Sequence, residues 1–559
     1  MIRCTIASMQ EEHVTGIEFA SDARKRLFKG IKIAADCVSA TLGPKGHAVI
    51  IQRQGKSPLV TRDGVTVARS LKLNDPVERM GAELITEAAG QTNDVAGDGT
   101  TTSTVLTASL IEGGLRLVEA GYSSLSVCRG IEAAATLIDA EVKRLAKQVI
   151  SSDEVSQIGT ISANGDKQIG DLIAQAMDKV GRDGVITVED AKGMMTSLDV
   201  AEGMQVDRGY VSPYFVTDPE RMRAVYENAQ VLITDKKIVT FNELIKILEQ
   251  CKRAQRPLLI VADDFEGEAL SGLVLNRVKS QLPVVAIKAP GYGQHRHELL
   301  ADMCVLVGAT LVSSATGLTF DNVTFDKLGT CKRFITDAKS TTIVGSGSTM
   351  QAVQDHVAEL RKQLEDVTLA QDDATKLRMR AARLASGVAI IKVGGTTEIE
   401  MNERKFRIED ALNATKAAIE EGIVPGGGMA LFNAVRSVRA QLENVKSSAD
   451  PNEFMGCNAL LDACTSPLRR IVSNAGQTPG VIIAELERAN SLAPIAIDGY
   501  GYNAATGEYC DLVTTGVIDP VKVTRTALKN AVSVAVTFLS LDAVVYDETP
   551  NKRNDDEEE

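Results

Sequence analysis

The residues Gly97-Asp98-Gly99-Thr100-Thr101-Thr102 follow Asn93-Asp94-Val95-Ala96 and open a run of helical type from Ser103 to Val118. Residues of these kinds at a helix start suit the gripping of a phosphate. A helix N-terminus offers unpaired backbone N–H groups and the positive end of a dipole, so an anion is held there without any cationic side chain. Gly97 and Gly99 let the backbone come close, and the threonines add hydroxyl donors. Asp98 is placed to hold a divalent cation that bridges phosphate oxygens. The same residues also suffice for an ordinary helix start, with Asp98 as the cap and the glycines and threonines as its turn. This stretch alone leaves both readings open.

The bulk composition narrows the field. A length of 559 residues allows about three to four domains, each able to bury a core. Hydrophobic content of 44% and charged content of 24% fit a globular protein, and 4% aromatics with no Trp means cores of Val, Ile, Leu, Ala and Met. A net charge of −13 argues against binding to nucleic acid duplexes. No apolar run reaches transmembrane length, so no membrane partner is expected. Met1 to His13 lacks a signal-peptide core and carries Glu11 and Glu12, which points to a cytoplasmic protein. Nine cysteines stand singly with no CxxC pair, which favours reduced, mostly buried thiols over a zinc or disulfide framework. His295 and His297 have no third ligand nearby and do not make a metal site.

The elements that must position the motif follow in order. Helical spacing from Glu18 to about Leu42 stops at Gly43-Pro44, and the loop Thr41-Leu42-Gly43-Pro44-Lys45-Gly46 suits close backbone approach. Strand-like runs follow at His47 to Ile51 and Leu59 to Val67, and Asp63-Gly64, between two β-rich stretches, reads as a tight turn. Helices are expected from Pro76 to Thr92, Thr100 to Ala120 and Ser124 to Ala146. A strand at Gly184 to Glu189 precedes a change of character near Gly203. Short apolar runs at Val231 to Ile233, Leu258 to Ala262, Val284 to Ile287 and Thr310 to Val312 then alternate with helical patterns, which implies an α/β insertion with parallel pairing. One of its helices carries the stripe Phe241, Leu244, Ile245 and Leu248. Another spreads Leu270, Leu273, Val274, Leu275 and Val278 beyond one stripe, leaving a face uncovered. A long charged helix from Met350 to Ala385 leads to a strand at Gly387 to Val393 and a helix ending at Gly422. Pro425-Gly426-Gly427-Gly428 opens the next helix, and a strand from Ala543 to Tyr546 precedes a polar, acidic tail that should be disordered.

Several chemistries are excluded. Gly55-Lys56-Ser57 lacks the earlier glycine of a Walker A loop. Gly499-x-Gly501-x-x-Ala504 is a weak dinucleotide fingerprint with no strand leading into it. Five histidines, none at a nucleophile elbow, give no Ser-His-Asp arrangement.

Taken together, Thr41 to Gly46, Thr61-Arg62-Asp63-Gly64, Gly97 to Thr102, Glu420-Glu421-Gly422 with Gly426-Gly427-Gly428, and Tyr502-Asn503-Ala504-Ala505-Thr506 resemble the group I chaperonins of the GroEL type, over about Gly16 to Asp547. The resemblance implies a mainly α subunit with α/β parts in three domains: an equatorial ATP-binding domain (16–144 and 421–547), an intermediate hinge (145–201 and 389–420) and an apical polypeptide-binding domain (202–388). It implies an ATPase that folds non-native polypeptides inside a seven-membered ring under a co-chaperonin lid. Thr41, Leu42, Gly43, Pro44, Asp98, Gly99, Thr100, Thr101 and Thr102 would wrap the phosphates, with Asp98 on Mg2+ and Arg62 near a K+ ion where the family usually has Lys. Gly427, Asn503, Ala504, Ala505 and Asp519 would hold base and ribose. Asp410 would activate the attacking water with help from Asp63, and its place near Gly422 would let a domain swing gate hydrolysis. Tyr210, Ser212, Tyr214, Phe215, Ile245, Leu248, Leu270, Val274 and Leu275 match the family's apolar groove.

The chain departs from the family in three places. It ends in acidic residues rather than a Gly-Gly-Met repeat. Gln477-Thr478 replaces an acidic pair that joins stacked rings, leaving one ring or two open, and Ser386 replaces one hinge glycine. A passive holdase or scaffolding ring is the alternative to an ATP-driven chamber, and the intact Asp63, Asp98 and Asp410 favour the chamber.

Overall fold

The computed structural model describes residues 15–52, 58–149, 151–163, 165–181, 184–191, 193–219, 221–313, 316–346, 349–364, 371–445, 450–492 and 499–547. The expected acidic tail (548–559), the first fourteen residues and Gly55-Lys56-Ser57 lie outside them. The chain divides into two compact units, Met1–Ala174 with Thr397–Glu559, and Gln175–Thr396. The fold is helical with mixed sheets, as expected.

The first unit is a helical body. Its helices include Ala20–Ser39, Pro76–Ala96, Thr100–Glu119, Ser124–Arg144, Pro451–Ala463 and Val521–Ser540, whose apolar faces merge in a core around Leu27, Ile31, Ile85, Leu110, Ile131 and Phe538. Local chemistry sets their ends. Asp75 caps the second of these from Val77 and Glu78 amides, with Pro76 in the first turn, and Gly97 closes it in the left-handed region at φ 71°. Gly30 and Gly81 bring two helices into backbone contact: a Cβ on Gly30 would overlap the Glu78 carbonyl, and one on Gly81 the Leu27 carbonyl.

Two expectations here are corrected. The first helix starts at Ala20 because Thr15–Phe19 is a strand, paired antiparallel with Ala543–Asp547 from the far end of the chain. Asp63-Gly64 is not a turn between strands. Leu59–Thr61 pairs back onto Val49–Ile51, and Gly64–Ser70 is a short helix that Asp63 caps. The β-branched run after Gly64 misled because capping outweighs intrinsic strand preference.

The second unit holds a six-stranded sheet in the order Gly203–Val206, Thr341–Gly345, Gly329–Thr336, Ala224–Ile233, Leu258–Ala262, Val284–Lys288. The last three strands are parallel, as the alternating pattern implied, and the others antiparallel. Thr310–Val312 contributes only a single bridge from Val312 to Thr234. The long charged helix is described as two, Met350–Gln363 and Gln371–Ser386. Arg380 fastens the second by donating to both oxygens of buried Asp302, each at 2.8 Å, while His356 bonds the same carboxylate. A separate three-stranded sheet places Val388–Val393 between Val185–Asp190 and Ser197–Ala201. The eight described cysteines are free and six are buried; burial pushes the thiols of Cys251, Cys304, Cys331 and Cys464 up to about 12.

Gly30→Ala sets helix propensity, a gain of about 1 kcal/mol, against overpacking onto a backbone carbonyl, which costs about 1–3 kcal/mol. Because a carbonyl in a helix cannot yield as a side chain can, the loss should win. Thermal unfolding followed by helicity should show a lowered midpoint; a midpoint at or above the unsubstituted chain would contradict this packing.

Candidate functional site

The site is built within the first unit. The Thr100–Glu119 helix starts from Gly99 at φ 82°, and no described side chain caps it. Asp98 instead accepts from its neighbour's amide, Gly99 N, at 2.5 Å and from the Ser162 hydroxyl. The reading of Asp98 as an ordinary helix cap is therefore set aside. The helix's first-turn amides remain available to an anion, and the hydroxyls of Thr100, Thr101 and Thr102 make no hydrogen bond among the described residues.

Carboxylates from four stretches gather around this turn. Asp63 accepts from the amides of Val65 (3.2 Å) and Thr66 (2.9 Å), and the Thr66 hydroxyl at 2.5 Å. The helix it begins abuts the threonines so closely that a Cβ on Gly64 would stand 2.5 Å from Thr101 Oγ1. Asp410 lies on the Glu398–Glu421 helix, which is seated by Asn413 one turn later: a Cβ on Gly97 would stand 2.6 Å from the Asn413 Cγ. Asp519 lies on Ile518–Pro520, paired with Ile423–Pro425, and its Oδ1 would be 3.0 Å from a Cβ on Gly426.

These groups feel one another. Burial raises Asp98 above the usual carboxylate range, with the Asp63 charge adding to the rise and the Gly99 and Ser162 hydrogen bonds opposing it. Asp410 is pushed well up by burial, then by Asp98, Asp63 and Glu409. Asp519 is raised to about 7 by burial and by Asp98. Like charges that a low-dielectric site forces together are what a hard cation relieves, and oxygen donors are the ligands Mg2+ takes. No three described His, Cys, Asp or Glu residues form a complete cage. Asp98, the common neighbour, would therefore share a cation with oxygens from a ligand.

The other loops named from the sequence are held by packing of their own. The Thr41 hydroxyl donates to the Val38 carbonyl at 2.8 Å, and Asn474 donates to the carbonyls of Ser39 (3.0 Å) and Leu42 (2.8 Å). Gly43, at φ 86°, rests on Ile471; Pro44 follows it in the same loop, whose Gly46 amide donates to the Gly43 carbonyl. Ile471 packs in turn against a cluster containing Met429, Leu468, Tyr502 and Ala504. Gly427, at φ 65°, faces open space two residues before Met429. Asn503 Oδ1 accepts the Ala505 amide at 3.0 Å in the turn of a hairpin, Tyr500–Asn503 with Glu508–Asp511, that the sequence reading had not seen. Arg62 is exposed and makes no hydrogen bond or ion pair among the described residues. Contacts thus run from Gly43 through Ile471 to the cluster of Ala504 and Met429, while Gly426 lies against Asp519, whose carboxyl feels the charge of Asp98.

Sequence reasoning assigned no role to Ser162, which donates to Asp98, to Asn413, which donates to the Gly97 carbonyl, or to Asn474 and Arg470, which both donate to the Ser39 carbonyl. Asn413 was the most legible of them, since it shares a helix face with Asp410.

In the second unit the expected apolar surface divides. Tyr214 is 66% exposed and Leu275 51%, with Val278 and Ile245 also reaching solvent. Tyr210, Leu270 and Val274 are half-buried against the core. Phe215 and Leu248 belong to that core, and Ser212 is buried where its hydroxyl accepts the Tyr214 amide. As surface contacts, Phe215, Leu248 and Ser212 are corrected: neighbours in a tight Pro213–Phe215 turn point opposite ways, and Leu248 lies on the inner stripe with Leu244 and Ile247. His295 and His297 pair separately, with Glu298 and Asp235, and make no metal site.

Comparison with known proteins bears on family and fold. The TCP-1/cpn60 chaperonin family matches residues 34–549. Among solved structures, the chain is similar to the chaperonin gp146 from the bacteriophage EL 2 (Pseudomonas aeruginosa), determined in the presence of ATP-BeFx, with a TM-score of 0.67 and 22% identity over 95% of this chain and 99% of that one.

The raised carboxylates give a pH test. Stability from a group such as Asp519 is fully present below the unfolded carboxylate pKa of about 4 and is lost as pH rises through about 7. Excess magnesium should therefore raise the unfolding temperature little at pH 5 and increasingly toward pH 8, with Asp98→Asn reducing the difference. An equal magnesium effect at both pH values would contradict a cation site here.

Proposed function

The chain belongs to the TCP-1/cpn60 chaperonin family, and from that membership we propose that it is an ATP-driven chaperone that captures non-native polypeptides and releases them for folding within a ring. The observation that carries the nucleotide half is the meeting of four carboxylates at an uncapped, glycine-preceded helix start. Phosphates would sit on the amides of the Thr100–Glu119 helix, flanked by Thr41 to Pro44 and by Thr100 to Thr102, with Arg62 nearby. Mg2+ on Asp98 would offset phosphate charge, and a K+ ion beside Arg62 would add to this. Gly427, Asn503 to Ala505 and Asp519 would line the base and ribose.

Asp410 would take a proton from the attacking water. A carboxylate whose pKa lies well above the ordinary value is the stronger base once ionised, and general bases of this kind contribute about 10²–10⁴-fold. Asp63, locked by its bonds to Val65 and Thr66, would orient that water. The chain would be organised as an equatorial domain (16–144 and 421–547), an intermediate hinge (145–201 and 389–420) and an apical domain (202–388). The left-handed Gly422 at φ 90° would serve as one pivot.

Exposed Tyr214, Ile245, Leu275 and Val278 support apical capture, since apolar contact is non-directional and tolerates many clients. Repetition around a seven-membered ring, single or double and with a co-chaperonin lid, would turn weak single contacts into firm capture. A cytoplasmic setting fits this role.

Two substitutions test the two halves. Asp410→Ala should leave nucleotide binding intact while single-turnover hydrolysis falls about 10²-fold or more; hydrolysis at the normal rate would favour the holdase alternative. Tyr214→Glu should weaken capture of an unfolded client and leave basal ATPase unchanged. Unchanged capture would count against this surface.

A further inference from the structure

Outside the carboxylate site, the first unit carries a cleft of about 340 Å³ between the Ala20–Ser39, Thr100–Glu119 and Ser466–Asn474 helices. Its lining has two chemistries. Phe28, Ala35, Val105 and Ala108, with Pro479, supply an apolar wall, and Phe28 and Ala108 are only partly buried where they pack on the helical core. Lys32, Arg469 and Arg470 supply charge. None of these three cations forms an ion pair among the described residues. Arg469 donates to the Thr465 hydroxyl at 2.9 Å, and Arg470 to the carbonyls of Ser39 (3.3 Å) and Asp36 (3.5 Å), so neutral oxygens steer both guanidiniums without neutralising them. Two acids also line the cleft. Glu112 is paired with Arg116 at 2.5 Å, which leaves the Asp36 carboxylate alone against three cations.

A further observation is independent of charge. Ser466, in the lining at the start of its helix, has a buried hydroxyl with no partner among the described residues, and no side chain caps that helix. A buried hydroxyl left unbonded costs free energy that a bound acceptor relieves. The helix start adds backbone donors of the kind that hold anions.

We propose that the cleft is a binding site for a small phosphate monoester whose alcohol part is apolar. The apolar part would lie against Phe28 and Ala108, and the phosphate would take bonds from Lys32, Arg469 and the Ser466 hydroxyl. Charge selects the head group: three cations less the carboxylate of Asp36 leave two positive charges, and a phosphate monoester carries about −1.5 to −2 near neutral pH. The wall selects the body. Cations at an open surface hold a bare anion weakly because water and salt screen them, whereas covering apolar surface adds a contribution that salt does not screen. The volume lies at the small end of the range for ligand sites, about 300–1,000 Å³.

Occupancy would reach the nucleotide loop. The helix that supplies Arg470 also supplies Asn474, and together they hold the Ser39 and Leu42 carbonyls beside Thr41 to Pro44. A phosphate that draws Arg470 into the cleft competes with its bonds to Ser39 and Asp36 and so changes the hold on that loop. This effector role rests on the nucleotide reading above; the site itself does not.

Fluorine resonance of para-fluorophenyl phosphate titrated into the full-length protein tests the site. One class of sites, numbering one per chain, should lose affinity at least fivefold on Lys32→Ala and again on Arg469→Ala, both of which alter exposed side chains outside the carboxylate site. Para-fluorobenzoate, para-fluorophenol and inorganic phosphate should each bind that class at least fivefold more weakly than the monoester. Absence of saturable binding, or binding indifferent to both substitutions, would overturn the proposal. Equal binding of the benzoate or the phenol would refute the charge match, and equal binding of inorganic phosphate would refute the apolar wall. For the effector role, saturating monoester should change the Kd for ADP at least threefold in the unsubstituted chain and not in Arg469→Ala. An unchanged Kd beside demonstrated monoester binding would overturn that role alone, as would an equal change in Arg469→Ala. A chain that binds no ADP would instead strike the nucleotide reading and leave the cleft site standing on the fluorine titration.

Discussion

Repulsion among Asp63, Asp98, Asp410 and Asp519 is the constraint around which the first unit is arranged. Asp63 acts on Asp98, Asp98 and Asp63 on Asp410, and Asp98 on Asp519, and burial together with these charges holds Asp98, Asp410 and Asp519 above the usual carboxylate range. Such an arrangement wants a counter-charge brought from outside. Two of the four precede the Gln175–Thr396 unit in the chain and two follow it. The site therefore exists only once both arms of the first unit have folded together, which ties the candidate chemistry to the integrity of the whole helical body.

Close backbone approach makes the crowding possible. Gly64 lets the Asp63 helix touch the threonines, and Gly97 lets the Asp410 helix settle through Asn413. Gly99 clears Val523, and Gly426 clears Asp519. At each of these positions a methyl group would push two of the assembling elements apart. Gly97 and Gly99 also need the left-handed backbone that other residues adopt at a cost. The glycines suggested by the sequence for reasons of phosphate access are thus equally required to bring the carboxylates together.

Much of this was legible in the residues. Long helices with regular apolar spacing ended within a few residues of expectation, since burial and capping agreed locally, as at Asp75-Pro76. The parallel strands at Leu258–Ala262 and Val284–Lys288 were plain from their continuous apolar runs. What escaped depended on distant partners. Thr15–Phe19 is a strand only because Ala543–Asp547 lies beside it, and the Tyr500–Asn503 hairpin is stabilised by stacked tyrosines and by Met429. Asp63 read as a turn because its role depends on the helix it caps. At the apolar surface, aromatic character did not distinguish exposed Tyr214 from buried Phe215, neighbours in the Pro213–Phe215 turn. The supporting shell of Ser162, Asn413, Arg470 and Asn474 carries no motif, because its members act through bonds to backbone and to other side chains rather than through a pattern.

The central claim, that these separated stretches make one cation and nucleotide site, is tested most directly by paramagnetic resonance of Mn2+ titrated into the protein with ADP. One Mn2+ per chain should bind only when ADP is present, and Asp98→Asn should abolish that signal while the protein stays folded. Binding of Mn2+ that is indifferent both to ADP and to Asp98→Asn would contradict the account.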